Sequence, residues 1–212
     1  MLQYLYATPM ASIIFVLTIV TSVYAFSNPQ IYGNMMLHPY SIHRNKSKWY
    51  TVFTSGIIHA DWMHLIFNMV TFFYFGFSLE SIFVQANGPV GHLYFAMLYI
   101  VSLVLSDIPT IIQQKNNPGY YSLGASGAIS AVLFSFILFY PKAELRIFLA
   151  IPMPAYLFAV LYIGYCIWAS KNSQDRINHD AHLFGALSGL LITIVLHHWI
   201  IGHFIGHFIG QF

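Results

Sequence analysis

A hydroxyl, an imidazole and a pair of side-chain N–H donors, each set at the start of a long apolar run, are the groups in this sequence that could do chemistry. Gly124-Ala125-Ser126-Gly127 opens one run, and His182, followed by Gly185 and Gly189, opens another. His64 and Asn68 stand near the start of a third, four apart and so on one helix face, with His59 just before it. A serine hydroxyl is a poor nucleophile until a neighbouring base takes its proton, and histidine is the usual base because it titrates near neutrality. At a helix start, Ser126 would also sit where unpaired backbone N–H groups and the helix dipole favour negative charge. That is where an oxyanion would form. The N–H groups of His64 and Asn68 extend the donor set, and losing one such donor typically costs about 10²- to 10³-fold in rate. The candidate catalytic pair is therefore Ser126 and His182. The oxyanion donors are His64, Asn68 and the backbone of Ser126 and Gly127. His59, Gly124, Gly185 and Gly189 take supporting positions.

These groups must be carried by membrane helices. Of the 212 residues, 58% are hydrophobic and 7% charged, against about 25% charged in an ordinary soluble domain. Eight Lys/Arg and six Asp/Glu cannot cover the surface of a soluble fold this size. A net charge of +2 without a basic patch argues against nucleic acid as a partner. The lone Cys166 excludes an intramolecular disulfide and reads as a small buried apolar residue. Met1 to Pro9 carries no basic stretch and no small-residue cleavage site, so the first apolar segment is expected to remain in the mature protein.

Six apolar runs are long enough to span a bilayer, for which about 17 to 25 residues suffice. They are Met10–Phe26, Trp62–Phe83, His92–Ile108, Leu123–Tyr140, Ile147–Ala169 and Ala181 to beyond Ile201. In lipid they must be helices, because an open sheet would leave backbone groups unsatisfied. The expected fold is all-α, a six-helix polytopic bundle forming one membrane domain over residues 1–212. Between the runs lie a long first loop, Ser27–Asp61; a link at Asn87-Gly88-Pro89; a Gln/Asn/Gly-rich loop, Pro109–Ser122; a turn at Pro141; and a polar loop, Lys171–Asp180. All three polar clusters open even-numbered runs, and consecutive runs alternate in direction, so the clusters share one membrane face.

Each feature has a blander reading. Gly-x-Ser-Gly is often a packing motif, His182 could be interfacial, and His64 with Asn68 could be an interhelical hydrogen-bond pair. Asn116-Asn117-Pro118-Gly119 upstream of Ser126 reads as a loop, which excludes the strand-then-serine elbow of an α/β-hydrolase. In the tail, Gly202, Gly206 and Gly210 form a stripe of the small-xxx-small kind, and His203 and His207 share a face where a metal would still lack a third ligand. If helical to Phe212, this last run exceeds what the membrane needs.

Taken in order, the motifs resemble those of the rhomboid family of intramembrane serine proteases, over most of the chain. The likeness rests on Gly124 to Gly127 in the fourth run, His182 with Gly185 and Gly189 in the sixth, and His59, His64 and Asn68 at the second. It implies that Ser126 attacks the scissile carbonyl, that His182 is general base and acid without an aspartate, and that His64 and Asn68 stabilise the oxyanion. It implies no cofactor and no metal. The partners it implies are transmembrane protein substrates and membrane lipid, in the cytoplasmic membrane of a bacterium. Two positions depart from the family pattern: Trp49-Tyr50 stands where many members have Trp-Arg, and Ser130 stands where bacterial members often place an aromatic against the histidine. Glu80 matches an acid common at that place, and an interfacial acid explains it equally well.

In the family's usual orientation the N-terminus is cytoplasmic. Lys142 and Arg146 would then be inside and Arg44, Lys46, Lys48, Lys115, Lys171 and Arg176 outside, against the positive-inside rule. We follow the motifs. The expected reaction is hydrolysis of a peptide bond in or beside a transmembrane helix that Gly, Pro or small residues weaken. His43, Trp49, Tyr50 and nearby basic residues are expected at headgroup level. The first loop, or the fifth run with Pro152 and Pro154, is a candidate moving element, unless the prolines only shape the helix entry. The alternatives are a non-catalytic protein of the same fold that binds membrane clients, a metalloenzyme using His59, His64, His179, Asp180 and His182, and a transporter, against which the polar groups cluster near one face and not along a path.

Overall fold

With no water in the bilayer core, so apolar a chain must satisfy its backbone internally, and the computed structural model does so with helices. It describes residues 6–147, 150–175 and 177–210; Met1, Arg176 and Phe212, which enter the sequence reading, lie outside the described residues. The first long helix is α1 (Pro9–Phe26). A first loop follows, carrying α2 (Pro29–Met35), α3 (Pro39–Asn45), α4 (Thr51–Thr54) and a 3₁₀ turn, Ser55–Ile57. Then come α5 (Trp62–Asn87), α6 (Val90–Gln114) and α7 (Ser126–Phe139), a hairpin of β1 (Glu144–Ile147) and β2 (Ile151–Pro154), α8 (Ala155–Asn172), α9 (His179–Leu196) and α10 (Ile200–Gly206). Helices α1, α5, α6 and α9 are long and apolar enough to cross a membrane. With α7 and α8 they make a polytopic membrane bundle of six helices.

Local chemistry sets the helix ends. Asp61 caps α5 by accepting the N–H of His64 at 2.8 Å, and Asn178 caps α9 by accepting that of Ala181 at 3.1 Å. Gly88, at φ +67°, closes α5 with a left-handed residue.

The shortest of the six, α7, lies at the centre: 12 of its 14 residues are buried, against four of 18 in α1 and three of 18 in α8. The exposed apolar side chains of α1 and α8, such as Val16, Val20, Val160 and Trp168, form the outer, lipid-facing surface. At about 1.5 Å per residue, α7 is ~21 Å long, short of a hydrocarbon core of about 30 Å. Exposed Tyr140 and Trp199 mark the headgroup level at its far end. Ser126 therefore starts the helix several ångströms below the opposite surface. The irregular backbone before it is tolerated at that depth because the first loop satisfies it. Leu37 and Ser122 exchange backbone hydrogen bonds at 2.9 and 3.1 Å, and the Gly124 N–H donates to the Ser55 carbonyl at 2.9 Å.

Four expectations change. The start of the fifth run is not helix but hairpin, with Arg146 opposite Pro152 and Glu144 opposite Pro154; the prolines lie in β2, and α8 begins only after them. The third run continues through Pro109 to Gln114. Proline there removes one hydrogen bond, and Thr110 and Asn178 tie the continued helix down with side-chain bonds at 2.8 and 3.1 Å. The sixth run breaks at His197, whose buried ring takes a hydrogen bond from Asn87 Nδ2 at 2.7 Å and packs on Phe83. Anchoring that ring takes His197 out of helical geometry, at φ −134° and ψ 69°. In the tail, nothing lies within 4 Å of where a Gly202 side chain would be, so the glycine stripe is no continuous packing face.

Glu80 is fully buried, not interfacial. Its carboxylate accepts the N–H groups of Met10 at 3.1 Å and Ala11 at 2.7 Å, in the first turn of α1, and that of His92 Nδ1 at 2.6 Å. One acid thus fastens α1 and α6 to α5. Replacing Glu80 with Ala leaves three donors without an acceptor and is expected to cost about 3 kcal/mol, with Glu80→Gln costing less. Equilibrium unfolding in mixed micelles measures this, and an alanine variant as stable as wild type would remove the clamp.

Candidate active site

Small residues determine how closely α7 and α9 pack. Gly127 and Ala131 on α7 face Gly185 and Gly189 on α9, and a side chain on Gly185 would overlap the Gly127 carbonyl. One on Gly189 would likewise overlap the backbone of Ala131. Backbone-to-backbone contact of this kind is what small-xxx-small spacing permits. It brings Ser126, the first residue of α7, beside His182 in the first turn of α9, with Ser126 Oγ 2.8 Å from His182 Nε2. Both side chains are half-buried, so the pair is recessed yet accessible. For the hydroxyl to donate, Nε2 must be unprotonated, which assigns the ring proton to Nδ1. No carboxylate among the described residues bonds to that ring.

The second-run residues converge on the same place in different ways. The His64 ring covers Gly124, whose φ of +121° is disfavoured for any side chain and whose Cβ would overlap that ring. The Ala60 N–H approaches His64 Nδ1 at 3.4 Å, which leaves the ring proton on Nε2, the nitrogen nearer Gly124. Asn68 is buried and donates one amide N–H to the His64 carbonyl at 2.9 Å, leaving the other uncommitted by that bond. Among the described residues, neither His64 nor Asn68 bonds to the Ser126 side chain.

His59 is wholly buried and structural in its contacts. Its Nε2 receives the Ala125 N–H at a long 3.5 Å, its Nδ1 lies 3.0 Å from Ser22 Oγ, and that hydroxyl reaches the Ile57 carbonyl at 3.1 Å. The chain is consistent with a neutral ring, and burial pushes His59 down to about 3. It ties the residue before Ser126 to α1, while its ring stands edge-on to His64 at 4.9 Å.

Two groups near the pair escaped the sequence reading. Asn178, besides capping α9, donates to Ser122 Oγ at 3.3 Å and so joins the His182 helix to the loop before Ser126; an asparagine just ahead of an apolar run was a legible cap. Tyr162 of α8 lies over His182, with ring centroids 6.4 Å apart, and a tyrosine in an apolar run gives no such signal. Of the two departures, Tyr50 donates to the Asn34 carbonyl at 3.3 Å within the first loop, and Ser130 bonds to Tyr162. His179 pairs with Asp175 at 3.1 Å, and the Ser173 hydroxyl and the Ile177 N–H hold that exposed carboxyl below the usual range. Among the described residues, no three His, Cys, Asp or Glu side chains group closely enough to hold a metal ion.

The family model for the Rhomboid domain matches residues 46–199. A mitochondrial RHOMBOID-like protein of Arabidopsis thaliana is 28% identical over 65% of this chain and 43% of its own length. A putative rhomboid protease of Bacillus subtilis is 26% identical over 74% of this chain and 71% of its length. A rhomboid protease of Haemophilus influenzae is 23% identical over 74% of each. The chain thus spans less than half the length of the Arabidopsis protein and over two thirds of the bacterial ones.

The Gly127–Gly185 contact leaves no room for a side chain. Gly185→Val is expected to cost about 1–3 kcal/mol by overpacking and to part the Ser126–His182 hydrogen bond, abolishing labelling of Ser126 by a fluorophosphonate. Wild-type labelling in that variant would show that the pair does not depend on this crossing.

Proposed function

The chain belongs to the rhomboid family, and from that premise we propose that it is an intramembrane serine endopeptidase whose nucleophile and base are Ser126 and His182. The 2.8 Å contact between Ser126 Oγ and His182 Nε2, at the start of a helix and below the membrane surface, carries this reading. Ser126 Oγ attacks the carbonyl carbon of the substrate as its proton passes to His182 Nε2. The carbonyl oxygen gains the negative charge beside the first-turn N–H groups of Ser126 and Gly127, the His64 Nε2–H and the second N–H of Asn68. His182 then returns the proton to the leaving amine, the C–N bond breaks, and an acyl-enzyme remains. A water molecule deprotonated by the same imidazole hydrolyses it and restores the Ser126 hydroxyl.

The substrates of this reading are transmembrane segments of other proteins, cut where Gly, Pro or small residues let the helix unwind and present a carbonyl. Residues 1–212 act as one membrane unit in contact with lipid, in the cytoplasmic membrane of a bacterium, with the N-terminus cytoplasmic and Ser126 near the other face. Mitochondrial relatives stand beside bacterial ones, so location is tested by fractionation of the source cells.

Reconstitution in liposomes with a single-span substrate carrying a Gly-rich helix tests the activity. Wild type is expected to cleave, Ser126→Ala and His182→Ala to lose cleavage, and a chelator to change nothing. His64→Ala and Asn68→Ala are each expected to lower kcat about 10²- to 10³-fold. Cleavage that persists in Ser126→Ala would overturn the mechanism. A wild type that neither cleaves nor reacts with a fluorophosphonate, while binding the span, would make this a client-binding protein.

A further inference from the structure

His182 is fixed at one point by its hydrogen bond to Ser126, and one hydrogen bond leaves a ring free to tilt about it. Two aromatic rings limit that freedom. His179, one helical turn back on α9, stands edge-on at 6.2 Å and 83°. Tyr162 lies on α8 and faces the imidazole nearly parallel, at 6.4 Å and 19°, within the range of offset-stacked pairs. Of these two rings Tyr162 comes from outside the His182 helix, so it, with the Ser126 bond, sets the imidazole against the rest of the bundle.

Tyr162 is itself held. Its hydroxyl is 2.7 Å from Ser130 Oγ, and its ring packs against Phe134 at 5.4 Å and Phe158 at 5.5 Å. Ser130 and Phe134 lie on α7, one and two turns beyond Ser126, and Ser130 is buried. A buried tyrosine hydroxyl needs a partner, and a serine hydroxyl in an apolar helix gains one in return. The path from nucleophile to base thus runs twice: directly through the Ser126–His182 bond, and indirectly along α7 to Ser130, across to Tyr162, and onto the face of His182.

We propose that Ser130 and Tyr162 form a positioning pair for His182: the serine fixes the tyrosine ring, and the ring fixes the plane of the imidazole that must take a proton from Ser126 and return it to the leaving amine. Tyr162 touches neither substrate nor the reacting atoms. Its effect is on kcat, through the base, and little on binding. The inference rests on the proposed role of His182 as base, and a readout without turnover separates the two.

The experiment compares wild type, Tyr162→Leu, Tyr162→Phe, Ser130→Ala and the Ser130→Ala/Tyr162→Phe double variant, in the full chain and in liposomes with the Gly-rich single-span substrate. A 1 Å misplacement can cost about 10²-fold, so Tyr162→Leu is expected to lower kcat by roughly 30- to 100-fold with KM within about twofold. Tyr162→Phe keeps the ring and loses its tether, and Ser130→Ala does the same from the other side; each is expected to lose about threefold. The double variant is expected to be no worse than either single one, because both remove one hydrogen bond. Independently of turnover, ¹⁵N spectra of the His182 imidazole are expected to show the Nδ1–H tautomer in wild type and Tyr162→Phe, and a tautomer mixture in Tyr162→Leu. Wild-type kcat in Tyr162→Leu, or an unchanged His182 spectrum, would overturn the proposal, as would additive losses in the double variant. If wild type shows the single tautomer and Tyr162→Leu the mixture, yet wild type cleaves nothing, the pair positions His182 and the protease reading fails instead.

Discussion

The structure depends on the backbone contact between α7 and α9. In lipid there is little hydrophobic gain from pressing two apolar helices together, so association rests on close packing and on hydrogen bonds between helices. Gly127, Ala131, Gly185 and Gly189 supply the first by removing side chains from the crossing. Farther along, the Thr193 hydroxyl donates to Ser135 Oγ at 2.6 Å and adds the second. With those points fixed, Ser126 and His182 meet at the end of the same crossing. A polar pair that would be costly alone in a membrane is thus a consequence of how the helices pack.

A short central helix then requires a device at its start. Because α7 begins below the surface, the residues leading into it lie at membrane depth without helical hydrogen bonds. The first loop covers them: Leu37 pairs with Ser122, Ser55 accepts from Gly124, and His59 receives the Ala125 N–H. The three acceptors come from different parts of that loop, which explains why so long a connection carries short helices and not a flexible coil. It also gives His59 a place that chemistry alone does not. Buried, neutral and bonded to Ser22, it joins α1 to the approach to Ser126, and its contribution is to hold backbone in position.

Much of this was legible in the residues. Long apolar runs announced the six helices, Asn87-Gly88-Pro89 marked the link between α5 and α6, and Gly185 and Gly189, four apart after His182, supplied the small residues that the α7–α9 crossing uses. What could not be read depends on partners distant in sequence. A proline usually stops a helix, yet Pro109 does not, because Thr110 bonds to Asn178, 68 residues away. His197 reads as one more histidine in an apolar run until Asn87, 110 residues earlier, is seen to hold it and end the helix there. For Glu80 an interfacial acid explained the residue as well as the family's acid did, because nothing local shows the α1 N-terminus over it. The hairpin was missed because Ile147 to Pro154 is as apolar as a span, and only the paired prolines and Arg146 tell that it pairs with itself.

The helices that carry Ser126 and His182 differ from the one that carries Tyr162. Helix α7 is almost wholly enclosed, whereas α8 buries only Ala155, Cys166 and Ala169 and faces lipid along most of its length. Since packing and hydrogen bonding hold membrane helices together, the helix with fewest buried residues costs least to displace. Under the proposed function a substrate helix has to reach Ser126 from the lipid, and the side closed by the least enclosed helix offers the cheapest way in. Moving α8 as a whole would carry Tyr162 off His182 and break its bond to Ser130. If α8 moves, the proposed mechanism requires Tyr162 to return to the imidazole before the proton is transferred, or the motion to leave the segment around Tyr162 in place and bend elsewhere. Gly164, with nothing within 4 Å of where a side chain would stand, lies two residues beyond Tyr162 and is a point at which the remainder of α8, residues 165–172, can bend while the Tyr162–Ser130 bond holds.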